Sequence, residues 1–202
     1  MNEKLTIAVF GKRGVGKSST LNTLFDLNLK IDAAKACTKV SDIKYLSNPN
    51  MFKYKTLEII DLPGVGEGLD TDDIYFPYYE STIPLADTLL WITQANVRAY
   101  KHDQVMFKKI SHLLKPNVNF VLGANKADIL IASHFKLDIV SIDDLSRLKE
   151  HLIFKEKTED ILSVFSDDFN QFFPFGSESI CYYASYFNWN TTELLQKVLN
   201  LN

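Results

Sequence analysis

The hydrophobic positions of this chain fall into short continuous runs separated by amphipathic stretches. Runs suited to buried strands lie at Leu5–Phe10, Leu57–Ile60, Thr88–Ile92, Val118–Leu122 and Ile180–Tyr183. Helical spacing fills most of the intervals. Ser18–Phe25 follows the first run, and Met106, Ile110, Leu113 and Leu114 share one face after the third. Leu194, Leu195, Val198 and Leu199 mark the last helix. Wholly apolar strands alternating with helices predict a parallel α/β sheet covered on both faces. Val40–Leu46 predicts a further strand, antiparallel to Leu57–Asp61, with Ser47-Asn48-Pro49-Asn50 as the connecting turn.

Between Asp128 and Ser179 the pattern is less regular. Ser141–Leu152 predicts one helix, capped by Ser141 and carrying Asp143 and Asp144 in its first turn. A second helix aligns Ile161, Leu162, Phe165, Phe169 and Phe172 on a core-facing side and stops at Pro174 and Gly176. The aromatic group Tyr75, Phe76, Tyr78 and Tyr79 fits a helix packed onto the sheet better than a partner surface.

Composition narrows the class. With 202 residues, the chain is long enough for one well-buried domain, spanning 1–202, and short for two. Hydrophobic residues make up 46% and charged residues 23%, the balance of a soluble globular protein. A net charge of -3 supplies no general attraction to nucleic acid or anionic membrane, so DNA is not an expected partner. From Ile129 to Glu178 there are ten acidic and five basic residues, a poor surface for phosphate backbones. Cys37 and Cys181 are isolated, which excludes metal-ligand spacing and fits reduced thiols. No apolar run approaches the ~18 residues of a membrane span. No leader pattern or prenylation cysteine is evident, so a cytoplasmic location is expected.

The chemistry lies in four short motifs. Gly11-Lys12-Arg13-Gly14-Val15-Gly16-Lys17-Ser18 fits G-x-x-x-x-G-K-[ST], between a strand and a helix as that phosphate loop requires. Its glycines let backbone N–H groups of Arg13 to Ser19 approach phosphates, aided by the helix N-terminus. Lys17 is expected on the β- and γ-phosphates and Ser18 on Mg²⁺. Asp61-Leu62-Pro63-Gly64 ends a buried strand. Asp61 is placed to hold Mg²⁺ through water, and the Gly64 N–H to sense the γ-phosphate. Thr38, ahead of the antiparallel strand, is the candidate cap on metal and γ-phosphate. Lys17, Thr38 and Gly64 form the candidate catalytic set. Arg13 as an internal arginine finger is the weaker alternative to a bulky loop residue without that role.

Asn125-Lys126-Ala127-Asp128 decides the base. Guanine presents two N–H donors on one edge, and the Asp128 carboxylate accepts both, which adenine cannot match. A site built on such a pair discriminates by roughly 10⁴-fold. Lys126 is expected to lay its stem on the purine, and Asn125 to tie this loop to the phosphate loop. Ala184-Ser185-Tyr186 follows the last strand, with the Ser185 N–H as candidate donor to guanine O6. None of the four histidines, His102, His112, His134 and His151, adjoins a motif.

Together these residues resemble the Era/TrmE-like branch of the Ras-type GTPase fold. The likeness is closest to bacterial prophage and island GTPases described as ribosome-binding, through Ala36-Cys37-Thr38-Lys39, Asp61–Glu67 and Ala86–Ile92. The resemblance implies a three-layer domain with a six-stranded sheet whose second strand is antiparallel, and slow Mg²⁺-dependent GTP hydrolysis. An effector protein or the ribosome, and a nucleotide-dependent dimer, are the partners it suggests. Three positions depart from the pattern. Val65 stands where Ras-like proteins orient water with glutamine. Gly14 stands where potassium-activated relatives carry asparagine, so potassium stimulation is not expected. Ala184 and Tyr186 replace the usual serine and lysine. The competing readings are a GTP-binding scaffold that does not hydrolyse, and an ATP-using enzyme with the same phosphate loop.

Overall fold

The computed structural model describes residues 4–27, 29, 42–47, 54–64, 69–97 and 99–201. Six strands form one sheet: β1 (Lys4–Gly11), β2 (Asp42–Ser47), β3 (Thr56–Asp61), β4 (Thr88–Gln94), β5 (Asn119–Asn125) and β6 (Ile180–Tyr182). Their order is β2-β3-β1-β4-β5-β6. Five strands run parallel. β2 runs antiparallel to β3, with Ile43 opposite Ile60. The strand after the phosphate loop thus takes the predicted direction, while the turn at Asn48–Asn50 lies outside the described residues.

The helices are α1 (Lys17–Phe25), α2 (Leu69–Thr82), α3 (Lys101–Ile110), α4 (Ala127–Phe135), α5 (Ile142–Arg147), α6 (Leu152–Phe169) and α7 (Thr191–Val198). Because both faces of the sheet are covered, β1 is buried from Leu5 to Gly11. Its alternate side chains serve two cores. Ile7 and Val9 meet Leu21, Leu194 and Val198 from α1 and α7. Ala8 and Phe10 meet Tyr79, Phe107, Phe165 and Phe169 from α2, α3 and α6. The second core is aromatic: Phe107 and Phe169 have ring centroids 4.1 Å apart, and Phe120 stacks on Phe173 at 4.3 Å. Tyr79 is fully buried, and Tyr75 and Phe76 pack against this core, so these three aromatic residues of α2 form a packing face. A smaller core joins α4, α5 and the start of α6 through Ile131, Leu145, Phe154 and Trp189.

Two helical expectations change. Ser141 does cap a helix, through a reciprocal pair in which Asp144 N donates to Ser141 Oγ (3.1 Å) and Ser141 N to Asp144 Oδ2 (3.1 Å). That helix, α5, ends at Arg147, and a new one starts at Leu152. The restart comes from His151, whose Nδ1 accepts the Ile153 N–H at 3.2 Å and serves as an N-cap. Histidine is not a usual cap, so apolar spacing alone ran the two segments together. At its other end α6 stops at Phe169 instead of running on to Phe172. Asn170 Oδ1 accepts the Phe175 N–H at 2.9 Å and turns the chain, a side chain competing with the helix for backbone donors. Phe173 and Phe175 therefore enter the core, and Phe172 is left 42% exposed.

This assignment separates two phenylalanines three residues apart. Phe169→Ala should destabilise the domain by about 3–5 kcal/mol in urea unfolding, as for a fully buried ring. Phe172→Ala should cost under about 1 kcal/mol. Equal losses would place Phe172 back in the core.

Candidate functional site

The motifs converge at the carboxyl ends of the central strands, where open parallel sheets hold ligands. β1 ends at Gly11, which pairs with Ile92 of β4 and has φ +150°. A Cβ there would run into the Ile92 carbonyl. The chain then loops through Lys12–Gly16 and enters α1 at Lys17. Gly16 has φ +99°, and a Cβ on it would collide with Asn125 Nδ2. Glycine is thus required there both by the backbone and by the asparagine beside it.

Lys17 is buried, and its Nζ donates to the carbonyls of Gly11 and Lys12, each at 3.1 Å. Those bonds hold the ammonium across the mouth of the loop. Thr20 anchors the helix start: its Oγ1 donates to Gly16 O (2.8 Å) and meets the Tyr183 hydroxyl at 2.8 Å. Tyr183 is fully buried, and that burial raises its hydroxyl pKa strongly.

Asp61, buried at the end of β3, accepts the Ser18 hydroxyl on Oδ2 at 3.3 Å. A hydroxyl and a carboxylate side by side are hard oxygen donors of the kind Mg²⁺ takes. Mg²⁺ needs only one or two protein carboxylates when phosphates complete its shell. The donor set fits the ion. Beyond Asp61, the Tyr79 hydroxyl donates to Pro63 O at 3.1 Å. Gly64 lies against the loop, so close that a Cβ would sit 2.8 Å from Lys17 Nζ and 3.1 Å from Arg13 N. Thr38 and Val65 lie outside the described residues.

Asn125, 1% exposed, is the hub. Its Nδ2 donates to Val15 O (2.9 Å), and its Oδ1 accepts the N–H groups of Lys126 (2.8 Å) and Ser185 (3.1 Å). The Ser185 N–H assigned to guanine O6 is thereby engaged within the protein, and Tyr186 supplies the next amide of the loop. A reciprocal bridge between Ala184 and Trp189 closes that loop, with Tyr186 89% exposed at its tip. Lys126 adopts φ +62° and donates from Nζ to Gly14 O at 2.9 Å. Burial lowers its pKa, against the opposing pull of Asp128. Asp128 stands in the first turn of α4. Burial raises its carboxyl above the ordinary aspartate value, opposed by the N–H groups of Asp128 and Ile129 and by Lys126.

The motifs did not point to two contacts. Gln94 Nε2 also donates to Gly14 O, at 3.2 Å, from the last position of β4, paired in register with Asn125. A polar residue ending an apolar strand beside the base motif was the signal available. Lys12 forms an ion pair with Asp103 of α3, and nothing local in the sequence announces it.

A protein-family profile described as 50S ribosome-binding GTPase matches residues 6–126. The uncharacterized protein YkfA of Escherichia coli (strain K12) is 33% identical over 135 residues, 63% of this chain and 44% of that protein. YfjP of the same strain is 33% identical over 109 residues, 52% of this chain and 35% of that protein. The matched region is therefore less than half of each relative's length. Among solved structures, Era in complex with MgGDPNP and nucleotides 1506-1542 of 16S ribosomal RNA superposes with a TM-score of 0.67 at 18% identity. That match covers 99% of this chain and 57% of the Era chain.

If Asn125 is the clamp, Asn125→Ala should lower unfolding stability by about 1–3 kcal/mol, the cost of stranding buried partners. It should also speed hydrogen exchange in peptides spanning residues 183–187. Unaltered exchange there would mean that something else holds the loop.

Proposed function

The chain belongs to the 50S ribosome-binding GTPase family, with an Era-like G-domain fold, and from that premise we propose that it is a guanine-nucleotide switch that binds GTP and hydrolyses it slowly. The observation that carries this reading is the three-way bond set of Asn125. It brings a phosphate cradle and a base-reading carboxylate into one site.

In this proposal the backbone N–H groups of Arg13 to Ser19 and the Lys17 ammonium surround the phosphates. They stabilise the charge that develops as water displaces the leaving group. Ser18, Asp61 and Thr38 would hold Mg²⁺, which neutralises phosphate charge when bound. Gly64, packed against Lys17 and Arg13, reports on the γ-phosphate through its N–H. Asp128 accepts both donor groups of guanine, Lys126 covers the ring, and the Tyr186 N–H takes the place at O6 first given to Ser185. The aliphatic side chain of Val65 cannot orient water, which supports slow turnover and keeps a non-hydrolysing scaffold as the second reading. Phosphate release in a single turnover decides between them. No helix among the described residues is long and apolar enough to cross a membrane. The family description makes the ribosome the proposed partner, reached in the cytoplasm.

Two measurements test the site. Titration with a fluorescent GDP, displaced by GTP and not by ATP, is expected, and Asp128→Asn should move the preference from guanine toward xanthine. ATP displacing as well as GTP would remove the role given to Asp128. The second is pH. Asp128 has a raised pKa in the fold, so falling pH protonates it earlier than an ordinary aspartate, and a protonated carboxyl cannot accept both guanine donors. The ratio of GDP to ADP affinity, in which phosphate titration cancels, should therefore decline on acidification with a midpoint above the ordinary value of 3.8. The same sign makes ionised Asp128 unfavourable for folding at neutral pH. Asp128→Asn should therefore melt no lower than the wild type.

A further inference from the structure

A contact outside the nucleotide motifs ties the phosphate loop to its neighbouring helix. Lys12 Nζ lies 2.5 Å from Asp103 Oδ2. Asp103 stands in the first turn of α3 and is 1% exposed. Among the described residues, the Lys12 ammonium is its counter-charge. Removing one member of such a pair strands a charge away from water, so the contact holds two backbones at a set distance.

What it holds is part of the cradle. The carbonyl of Lys12, with that of Gly11, accepts from Lys17 Nζ. The Lys12 side chain is drawn out to α3 while its backbone stays in the loop. α3 is itself fastened to α6, where Gln104 Nε2 donates to Val164 O at 3.1 Å and Lys108 pairs with Asp168 at 3.3 Å. The Lys12 carbonyl thus has a fixed support running through Asp103 into the second layer of helices. The base end stands on other contacts, those of Asn125, Lys126 and Asp128.

We propose that Asp103, acting through Lys12, is a positioning residue for the phosphate loop: it sets the carbonyl that aims Lys17, and with it the grip on the nucleotide's phosphates. The proposal rests on the guanine-nucleotide reading of the site and adds a residue that the four motifs do not contain.

The test uses the full chain as wild type, Asp103→Asn, Lys12→Met and Lys12→Arg. Three quantities are measured: GDP affinity by fluorescence titration, the GDP-over-IDP affinity ratio, and the ³¹P resonance of the bound β-phosphate. Asp103→Asn and Lys12→Met should each weaken GDP binding at least ten-fold and shift the β-phosphate resonance. The GDP-over-IDP ratio should stay unchanged, because the base is read elsewhere. Lys12→Arg, which keeps the charge, should restore most of the affinity. If Asp103→Asn does not fold, Lys12→Met carries the test, since that side chain is 24% exposed. Variants that bind GDP as the wild type does would overturn the proposal. So would variants that melt lower while the bound β-phosphate resonance stays in place, because that is the signature of a merely structural tie. A wild type that binds no GDP at all would instead sink the reading of the site.

Discussion

One side-chain amide holds together segments that no local force would bring near each other. Asn125 ends β5, and two of its three bonds reach the loops after β1 and β6. Loops at the ends of strands have few contacts of their own and depend on such bonds for a defined shape. Because Asn125 is buried, each bond forms in a low-dielectric setting where a lost partner is costly. The demand runs backwards through the sequence as well. Gly16 must lack a Cβ partly because the Asn125 amide occupies the space a side chain would take. Two residues far apart in the chain are thus one structural decision.

The rest of the molecule offsets what the site costs. Gly11, Gly14, Gly16 and Lys126 all adopt positive φ, and for Lys126, unlike glycine, that conformation is unfavourable. Asp128 and Lys126 are half-buried, and burial pushes both toward their neutral forms. None of this favours folding. The two cores make up the difference, one aliphatic against α1 and α7 and one aromatic against α2, α3 and α6. β1 serves both, since alternate side chains of one strand face opposite layers. The strand that delivers the phosphate loop is therefore among the most firmly held in the domain.

Strands were legible because a strand buried on both faces is a continuous apolar run, and five such runs stand out in the sequence. β2 was legible from its position between a loop and a turn. The ends of the helices were not, since His151 and Asn170 set them through side-chain bonds to the backbone that apolar spacing does not encode. In the site, the motif residues could be named because each carries a local constraint: glycine for positive φ, a strand-end aspartate, an asparagine after a buried strand. The bond from the Ser185 amide to Asn125 was not legible, because its partner lies sixty residues away in sequence. Lys12 and Asp103 escaped notice for the same reason. An ion pair between a loop and a helix ninety residues on leaves no periodic trace.

The two ends of the site are built to different standards. The base end is closed by hydrogen bonds on every side: Ala184 with Trp189, Ser185 with Asn125, Ala127 with Tyr183, and Lys126 with Gly14. The segment after Asp61 touches the phosphate loop differently. Among the described residues, Pro63 accepts the Tyr79 hydroxyl, and Gly64 lies against Lys17 and Arg13. A carboxylate that must match a pair of donors gains from a rigid frame, because misplacement by a fraction of an ångström forfeits one of the two bonds. A segment that must answer to a single phosphate gains from the opposite. If it were bonded to the protein as firmly as the base loop is, the loss of one ligand contact could not move it, since a ligand shifts an equilibrium only by its differential affinity for the two states. In the proposed switch, the base end is the fixed one that identifies the ligand, and the segment after Asp61 is the one that registers its state.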